Sequence, residues 1–187
     1  PGCLALDARR RSSRGRMQDF LVLHPVVPVT SSPPEGYRPI QVGGPFIAHN
    51  VQLHARLVNR PDGDKLQLGF RVEPHHTNPL GFLHGGMMAT FVDMLGACVM
   101  PYQTQMERRF LPTVSLQMDF LSSPKVGDWI QAEAQILRET RNLLFTQGLV
   151  HAGEELVLRT SAVYKIGKAF DEWGTDPRDP FKLRSPA

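Results

Sequence analysis

The sequence predicts an α+β domain in which an antiparallel sheet wraps around one long central helix, and two observations carry that prediction. Strand-like runs at 113–122, 128–140, 143–151 and 155–166 follow one another with no helix between them, which requires antiparallel neighbours. A single helical run, about Gly85 to Met100, is apolar nearly all round (Met87, Met88, Ala89, Phe91, Val92, Met94, Leu95, Ala97, Cys98, Val99), as a helix enclosed by a sheet must be.

Taken in order, residues 1–16 read as an Arg-rich leader, disordered or not native, with a transit peptide as the functional alternative. Residues 17–45 form a Pro-rich arm (Pro25, Pro28, Pro33, Pro34, Pro39, Pro45) that is expected to lie extended over the domain or a neighbour, without regular elements. The domain proper is assigned to 46–166. It opens with a strand over 51–59, a turn at Pro61-Asp62-Gly63-Asp64, and a second strand alternating through Leu66, Leu68, Phe70 and Val72. The helix follows a loop at 78–86, and Pro101 marks its end. Gly127 and Ala152-Gly153 separate the later strands. Along 113–120, Val114, Leu116, Met118 and Phe120 alternate with Thr113, Ser115, Gln117 and Asp119, so one face should cover the helix and the other meet water. The tail, 167–187, reads as irregular, with Trp173 and Phe181 as the residues able to dock.

A chain of 187 residues with 41% hydrophobic content suits one core better than two. The net charge of +3 is a property of the leader: without residues 1–16, 16 basic and 17 acidic residues remain, so no nucleic-acid face is expected. No run of ~18 apolar residues is present to span a membrane, and a soluble, cytoplasmic protein is expected. The two cysteines, Cys3 and Cys98, make no disulfide framework. Cys98 reads as a small buried hydrophobe rather than a nucleophile, because no charged partner lies near it in the helical pattern.

The chemistry concentrates between Asn78 and Asp93. Gly85 and Gly86 leave free N–H groups at the start of a helix, in outline a site for a developing oxyanion. Asp93 stands eight residues into the apolar helix, where an unpaired charge is costly and calls for a partner; Thr90, one turn earlier, is one candidate. At ~1.5 Å per residue the two groups lie about 12 Å apart along one axis, too far for both to reach one carbon. If Gly85 polarises a carbonyl and Asp93 drives attack on it, Asp93 must come from a second copy of the helix across a two-fold axis.

The pattern N-P-x-G-x-x-H-G-G, then six residues and Asp93, resembles the PaaI-like acyl-CoA thioesterases of the hotdog-fold superfamily, over about Phe46 to Ile166. The strand at 113–120 and the segment Ser123 to Asp128 belong to the same likeness. It implies a hotdog fold, hydrolysis of an acyl-CoA thioester, and a homodimer or homotetramer with shared sites. It also implies roles: the Gly85 N–H on the thioester carbonyl, Asp93 as general base or nucleophile, Asn78 on the attacking water, and Ser115 as a partner of the water or of Asp93. His84 is expected to position the loop or a water. Coenzyme A, part of the substrate and not a cofactor, is expected against Gly86, Ser123, Pro124, Lys125, Arg138, Arg141 and Asn142. The chain departs from the pattern at Thr140, where glycine is more usual, and in a longer connection from Tyr102 to Pro112 carrying Arg108 and Arg109.

Plainer readings stand beside these. Asn78 suits a turn before Pro79, Ser115 a polar strand face, and the basic residues a solvated surface. No metal is expected: His75 and His76, if extended, point to opposite faces. Phe82, Met87, Met88 and Phe91 fit either an acyl tunnel or simple core. A non-catalytic acyl-CoA-binding hotdog protein and a hydroxyacyl-thioester dehydratase are the rival functions; the first has no need of Asp93, and the second wants a histidine and a carboxylate acting together on the acyl chain.

Overall fold

The computed structural model describes residues 32–61, 63–169, 176 and 178–184. Seven strands form one antiparallel sheet: β1 (Arg38–Pro39), β2 (His54–Val58), β3 (Lys65–Arg71), β4 (Thr113–Phe120), β5 (Trp129–Glu139), β6 (Leu143–Ala152) and β7 (Glu155–Lys165), in the spatial order β1-β2-β3-β5-β6-β7-β4. Three helices accompany them: α1 (Gly44–Asn50), α2 (Gly85–Asp93) and α3 (Leu95–Gln103), the last two consecutive along the core. The expected α+β architecture is present, and the late strands lie within a residue or two of their expected positions.

The core forms where one face of the sheet meets α2 and α3. Leu66, Leu68 and Phe70 of β3, Ile130 and Ala132 of β5, and Leu158 of β7 close on Met88, Phe91, Val92, Leu95, Cys98 and Val99, all buried. Phe70 and Phe91 meet edge to face at 4.9 Å between centroids.

Several expectations need correction. The helix does not stop at Met100: α3 runs to Gln103 with Pro101 inside its last turns. The missing proline N–H costs one bond near an end that is closed instead by Thr104, whose N–H and hydroxyl both reach Met100 O at 3.0 Å. The helix is interrupted at Met94, whose N–H turns back to Phe91 O at 3.2 Å. Close by, the ring of Tyr164 crosses so tightly over Gly96 that a Cβ there would stand 2.3 Å from it.

The Pro-rich arm also carries structure. Pro39 is tolerated in β1 because that strand is the sheet's edge, and Pro45 falls in the first turn of α1, where an N–H is not needed. Tyr37, Ile40, Val42 and Ile47 are buried, so the fold begins before Phe46, which itself lies within α1. The strand expected from Val51 begins at His54, because Val51 caps α1 through Ile47 O. In the tail, Phe181 does dock, stacking on Tyr102 at 6.2 Å, while the Tyr102 hydroxyl donates to the buried Asp179 at 2.8 Å. Trp173 and the leader lie outside the described residues. Among the described residues no helix is long and apolar enough to cross a membrane.

Candidate active site

The loop ahead of α2 is built by its own side chains. Asn78 Oδ1 accepts from Leu80 N–H at 2.9 Å and Phe82 N–H at 3.2 Å, and its backbone N–H donates to Phe82 O at 2.8 Å. Gly81 turns the chain at φ 80°, a conformation that glycine takes without penalty. Asn78 therefore shapes the loop with its oxygen and keeps the Nδ2 donor for another partner. The loop is moored to the segment after β4: Leu83 N–H donates to Pro124 O at 2.7 Å, and Phe82 bridges Lys125. Ser123, Pro124 and Lys125 consequently stand at the same end of α2 as Asn78 and His84.

His84 caps the helix. Its Nδ1 accepts from Gly86 N–H at 2.9 Å, and its own N–H donates to His76 O at 2.9 Å. Gly86 is thus already engaged, whereas Gly85, the first helical residue, has no acceptor for its N–H within the helix. Phe120 lies beside it: a Cβ on Gly85 would stand 3.5 Å from the Phe120 ring. Of the two N–H groups expected to be free at the helix start, only that of Gly85 remains so within the helix.

At the other end of α2, Asp93 is half-buried rather than enclosed, because the helix breaks immediately after it. Its Oδ1 accepts from the Thr113 hydroxyl at 2.6 Å, and its backbone carbonyl accepts from the Tyr164 hydroxyl at 3.2 Å. Thr90, the partner weighed from spacing alone, donates instead to Gly86 O at 3.0 Å. Burial, with Asp93 nearby, pushes the Tyr164 hydroxyl's pKa up, so it remains a donor.

Ser115 is not brought to Asp93. It pairs across the sheet with Val163, whereas Thr113 pairs with Tyr164, and Val114 is the extra residue between them. The bulge makes Thr113 the hydroxyl on the helix side. Neither Thr113 nor Tyr164 stood out in the sequence: a bulge leaves no trace in simple alternation, and Val114, expected to face the helix, is 62% exposed.

The remaining candidates divide between the two ends. Arg138, Arg141 and Asn142 belong to the β5–β6 hairpin, beside the start of β4: Ile166 N–H donates to Asn142 O at 2.8 Å, and Lys165 N–H to Pro112 O at 2.8 Å. Thr140 closes that turn with its hydroxyl, which accepts from Leu143 N–H at 2.9 Å, and its φ is not positive, so no glycine is required there. In the longer connection, Arg108 is buried against Phe181 and Arg109 reaches Gly167 O at 3.3 Å; both serve the docking of the tail segments.

His75 and His76 do not point apart, because Pro74–His76 form a 3-10 turn. Their rings lie 4.0 Å apart, and both approach Asn50 O, at 3.1 and 2.8 Å. Burial lowers the pKa of His76. Among the described residues no three of His, Cys, Asp and Glu are grouped to hold a metal ion. Burial pushes the Cys98 thiol up to about 12, which keeps it unreactive. Met87, Met88 and Phe91 are core residues; Phe82, 41% exposed, stays open to a ligand.

Comparison with known proteins accords with this geometry. The family model described as the thioesterase superfamily matches residues 80–159, from the loop before α2 into β7. A Pseudomonas aeruginosa protein whose name marks it as a candidate esterase is 27% identical over 134 residues, covering 71% of this chain and 96% of that one. Mouse acyl-coenzyme A thioesterase 13 is 37% identical over 84 residues, which cover 44% of this chain and 57% of that protein; the match thus spans little more than half of that relative's length. The crystal structure of mouse thioesterase superfamily member 2 superposes with a TM-score of 0.51 at 28% identity, covering 60% of this chain and 82% of that one. The matched segment holds the glycine-rich loop, the long helix and most of the late strands; the chain thus has the hotdog fold, and over that segment it is similar to the thioesterase superfamily.

Proposed function

We propose that the protein hydrolyses an acyl-CoA thioester to coenzyme A and a carboxylic acid, at sites shared between two copies of the chain. The observation that carries this reading is the relation of β4 to α2. Phe120 lies beside Gly85 and Thr113 holds Asp93, so β4 runs antiparallel alongside α2, and it is also one of the two edge strands among the described residues.

A two-fold axis at the middle of β4, between Leu116 and Gln117, would pair the strand with its own copy. Phe120 of one chain would then lie opposite Thr113 of the other. Gly85 and Asp93, about 12 Å apart along one helix, would meet across the axis. The same operation unites two further sets that one chain keeps apart: Lys125, at the Gly85 end, and Arg138, Arg141 and Asn142, at the Asp93 end. Together Lys125, Arg138 and Arg141 would supply cations, and Asn142 an amide, for the phosphates of coenzyme A. An edge strand carrying exposed Val114 and Phe120 invites such pairing.

In the shared site the Gly85 N–H, at a helix start, stabilises the developing oxyanion. Asp93 of the facing chain either takes a proton from the attacking water or attacks the thioester carbon itself, expelling the coenzyme A thiolate to leave an anhydride that water then hydrolyses, and Nδ2 of Asn78 is available in the loop to orient the incoming group. Single turnover in ¹⁸O-water tests for the anhydride: an unlabelled product acid marks attack of water on the Asp93 carbonyl, an outcome that direct hydrolysis cannot give.

The decisive test of function is Asp93→Asn. It should preserve assembly and acyl-CoA binding while lowering kcat at least ~100-fold, the scale for losing a general base or nucleophile. Undiminished kcat would overturn the assignment; failure of the wild type to turn over short, long and aryl acyl-CoAs while still binding them would favour a binding protein.

A further inference from the structure

We propose that Thr113, and not Ser115, is the residue that positions the Asp93 carboxylate for reaction. The inference rests on the catalytic role of Asp93 put forward above, and its grounds are the bulge in β4 and two hydrogen bonds.

Directly paired residues on antiparallel strands share a face of the sheet. Phe120, Met118 and Leu116 pair with Leu158, Thr160 and Ala162, all three of which are buried against the helix. Asp119, Gln117 and Ser115 pair with Arg159, Ser161 and Val163 on the opposite face, where Asp119 meets Arg159 and Gln117 meets Ser161. Strict alternation would continue with Val114 on the helix side and Thr113 away from it. The extra residue at Val114 reverses the phase, so that Thr113 joins the helix face opposite Tyr164.

That cross-strand pair grips Asp93 at two points. The Thr113 hydroxyl donates to Oδ1 at 2.6 Å, and the Tyr164 hydroxyl donates to the backbone carbonyl at 3.2 Å. Both sit where the helix breaks, with Gly96 lacking the Cβ that would push the Tyr164 ring away. One bond fixes the rotation of the carboxylate and the other fixes the backbone that bears it. That leaves Oδ2 as the oxygen for the proposed reaction. Thr113 touches the base and not the substrate, so it is a positioning residue.

The test uses the full chain and the isosteric Thr113→Val, with Thr113→Ser as the conservative variant. The valine should lower kcat about 10-fold with KM changed by less than about twofold, the scale for one hydrogen bond to an ionised acceptor, and serine should restore most of it. A structural role alone would not give that split, nor rescue by serine at an unchanged thermal midpoint. A crystal structure of Thr113→Val should show the Asp93 carboxylate rotated from its position, a readout that does not depend on turnover. The proposal is overturned if the valine variant keeps its kcat while Asp93→Asn is inactive, if Ser115→Ala costs more kcat than Thr113→Val, or if the carboxylate keeps its rotamer without the hydroxyl. Full activity in Asp93→Asn would instead bring down the reading of the site, whereas the rotamer would still report on the bond.

Discussion

Gly96 shows how a single missing atom shapes the site. A Cβ there would stand 2.3 Å from Tyr164 Cε2 and 2.7 Å from Cζ, and neither the helix nor the ring has room to withdraw, since both are buried. Gly96→Ala should therefore destabilise the fold by about 1–3 kcal/mol, the usual range for overpacking, read as a lower urea midpoint at constant slope. It should also lower kcat, because displacing the Tyr164 ring takes its hydroxyl from the Asp93 carbonyl. An unchanged midpoint would show that the helix slides without loss, and that the close approach is not what places the break. At this scale the sequence was only partly legible. Gly85, His84 and Asp93 stand out as candidates because they are compact in sequence, within ten residues. Thr113 and Tyr164 do not, being set against Asp93 by a register shift between Thr113–Tyr164 and Ser115–Val163, pairs 51 and 48 residues apart in the chain.

Among the elements, those governed by local periodicity were readable and those governed by distant partners were not. The hairpin β2–β3 and the strands β4 to β7 announced themselves by alternation and turn residues, and the structure keeps them. The continuity of the helix misled: it breaks at Met94, close to where the Tyr164 ring of β7 crosses Gly96, and a distant ring leaves no mark on the local pattern. In β1 and α1 the prolines concealed regular structure that an edge position and a first helical turn both accommodate.

The docked tail is the clearest case of a distant partner. Asp179 accepts from the Tyr102 hydroxyl at 2.8 Å, Leu183 N–H at 2.8 Å and Arg184 N–H at 2.9 Å, while Arg38 reaches Lys182 O at 3.1 Å. Phe181 and Leu183 pack against the main core, and Arg108 stands 5.3 Å above the Phe181 ring. Asp179→Ala would leave a buried hydroxyl and two N–H groups without their acceptor, at a cost of about 1–3 kcal/mol for each group that stays dry. The local consequence should be release of the segment: trypsin should cut after Lys182 and Arg184 markedly faster than in the wild type while the sheet's circular dichroism is retained. Equal cleavage rates would mean that the apolar contacts alone hold the tail.

For the whole molecule, the proposed chemistry is incomplete on one chain and calls for a second. The proposed oxyanion donor, Gly85, and the Asp93 carboxylate sit at opposite ends of α2, and β4, which links both ends, is an edge strand of the sheet among the described residues. Sedimentation equilibrium should give a dimer or a dimer of dimers, and a fully active monomer would defeat the geometric argument. A stricter test mixes lesions. Gly85→Leu places a side chain in the space between the helix start and Phe120 where the carbonyl must lie, and Asp93→Asn removes the carboxylate; each homodimer should be inactive. In a heterodimer of the two, one site combines the intact Gly85 of one chain with the intact Asp93 of the other, and the second site holds both lesions. The purified heterodimer should recover about half of the wild-type activity, and an equal mixture after random exchange about a quarter. Placing both lesions on one chain and pairing it with wild type spoils both sites, so that heterodimer should be inactive. If sites were instead contained within single chains, the outcomes would invert: the first heterodimer would stay dead and the second would keep half its activity. The inversion makes the experiment insensitive to how completely each substitution blocks its own group, because the sharing of sites is read from which pairing recovers and not from how far.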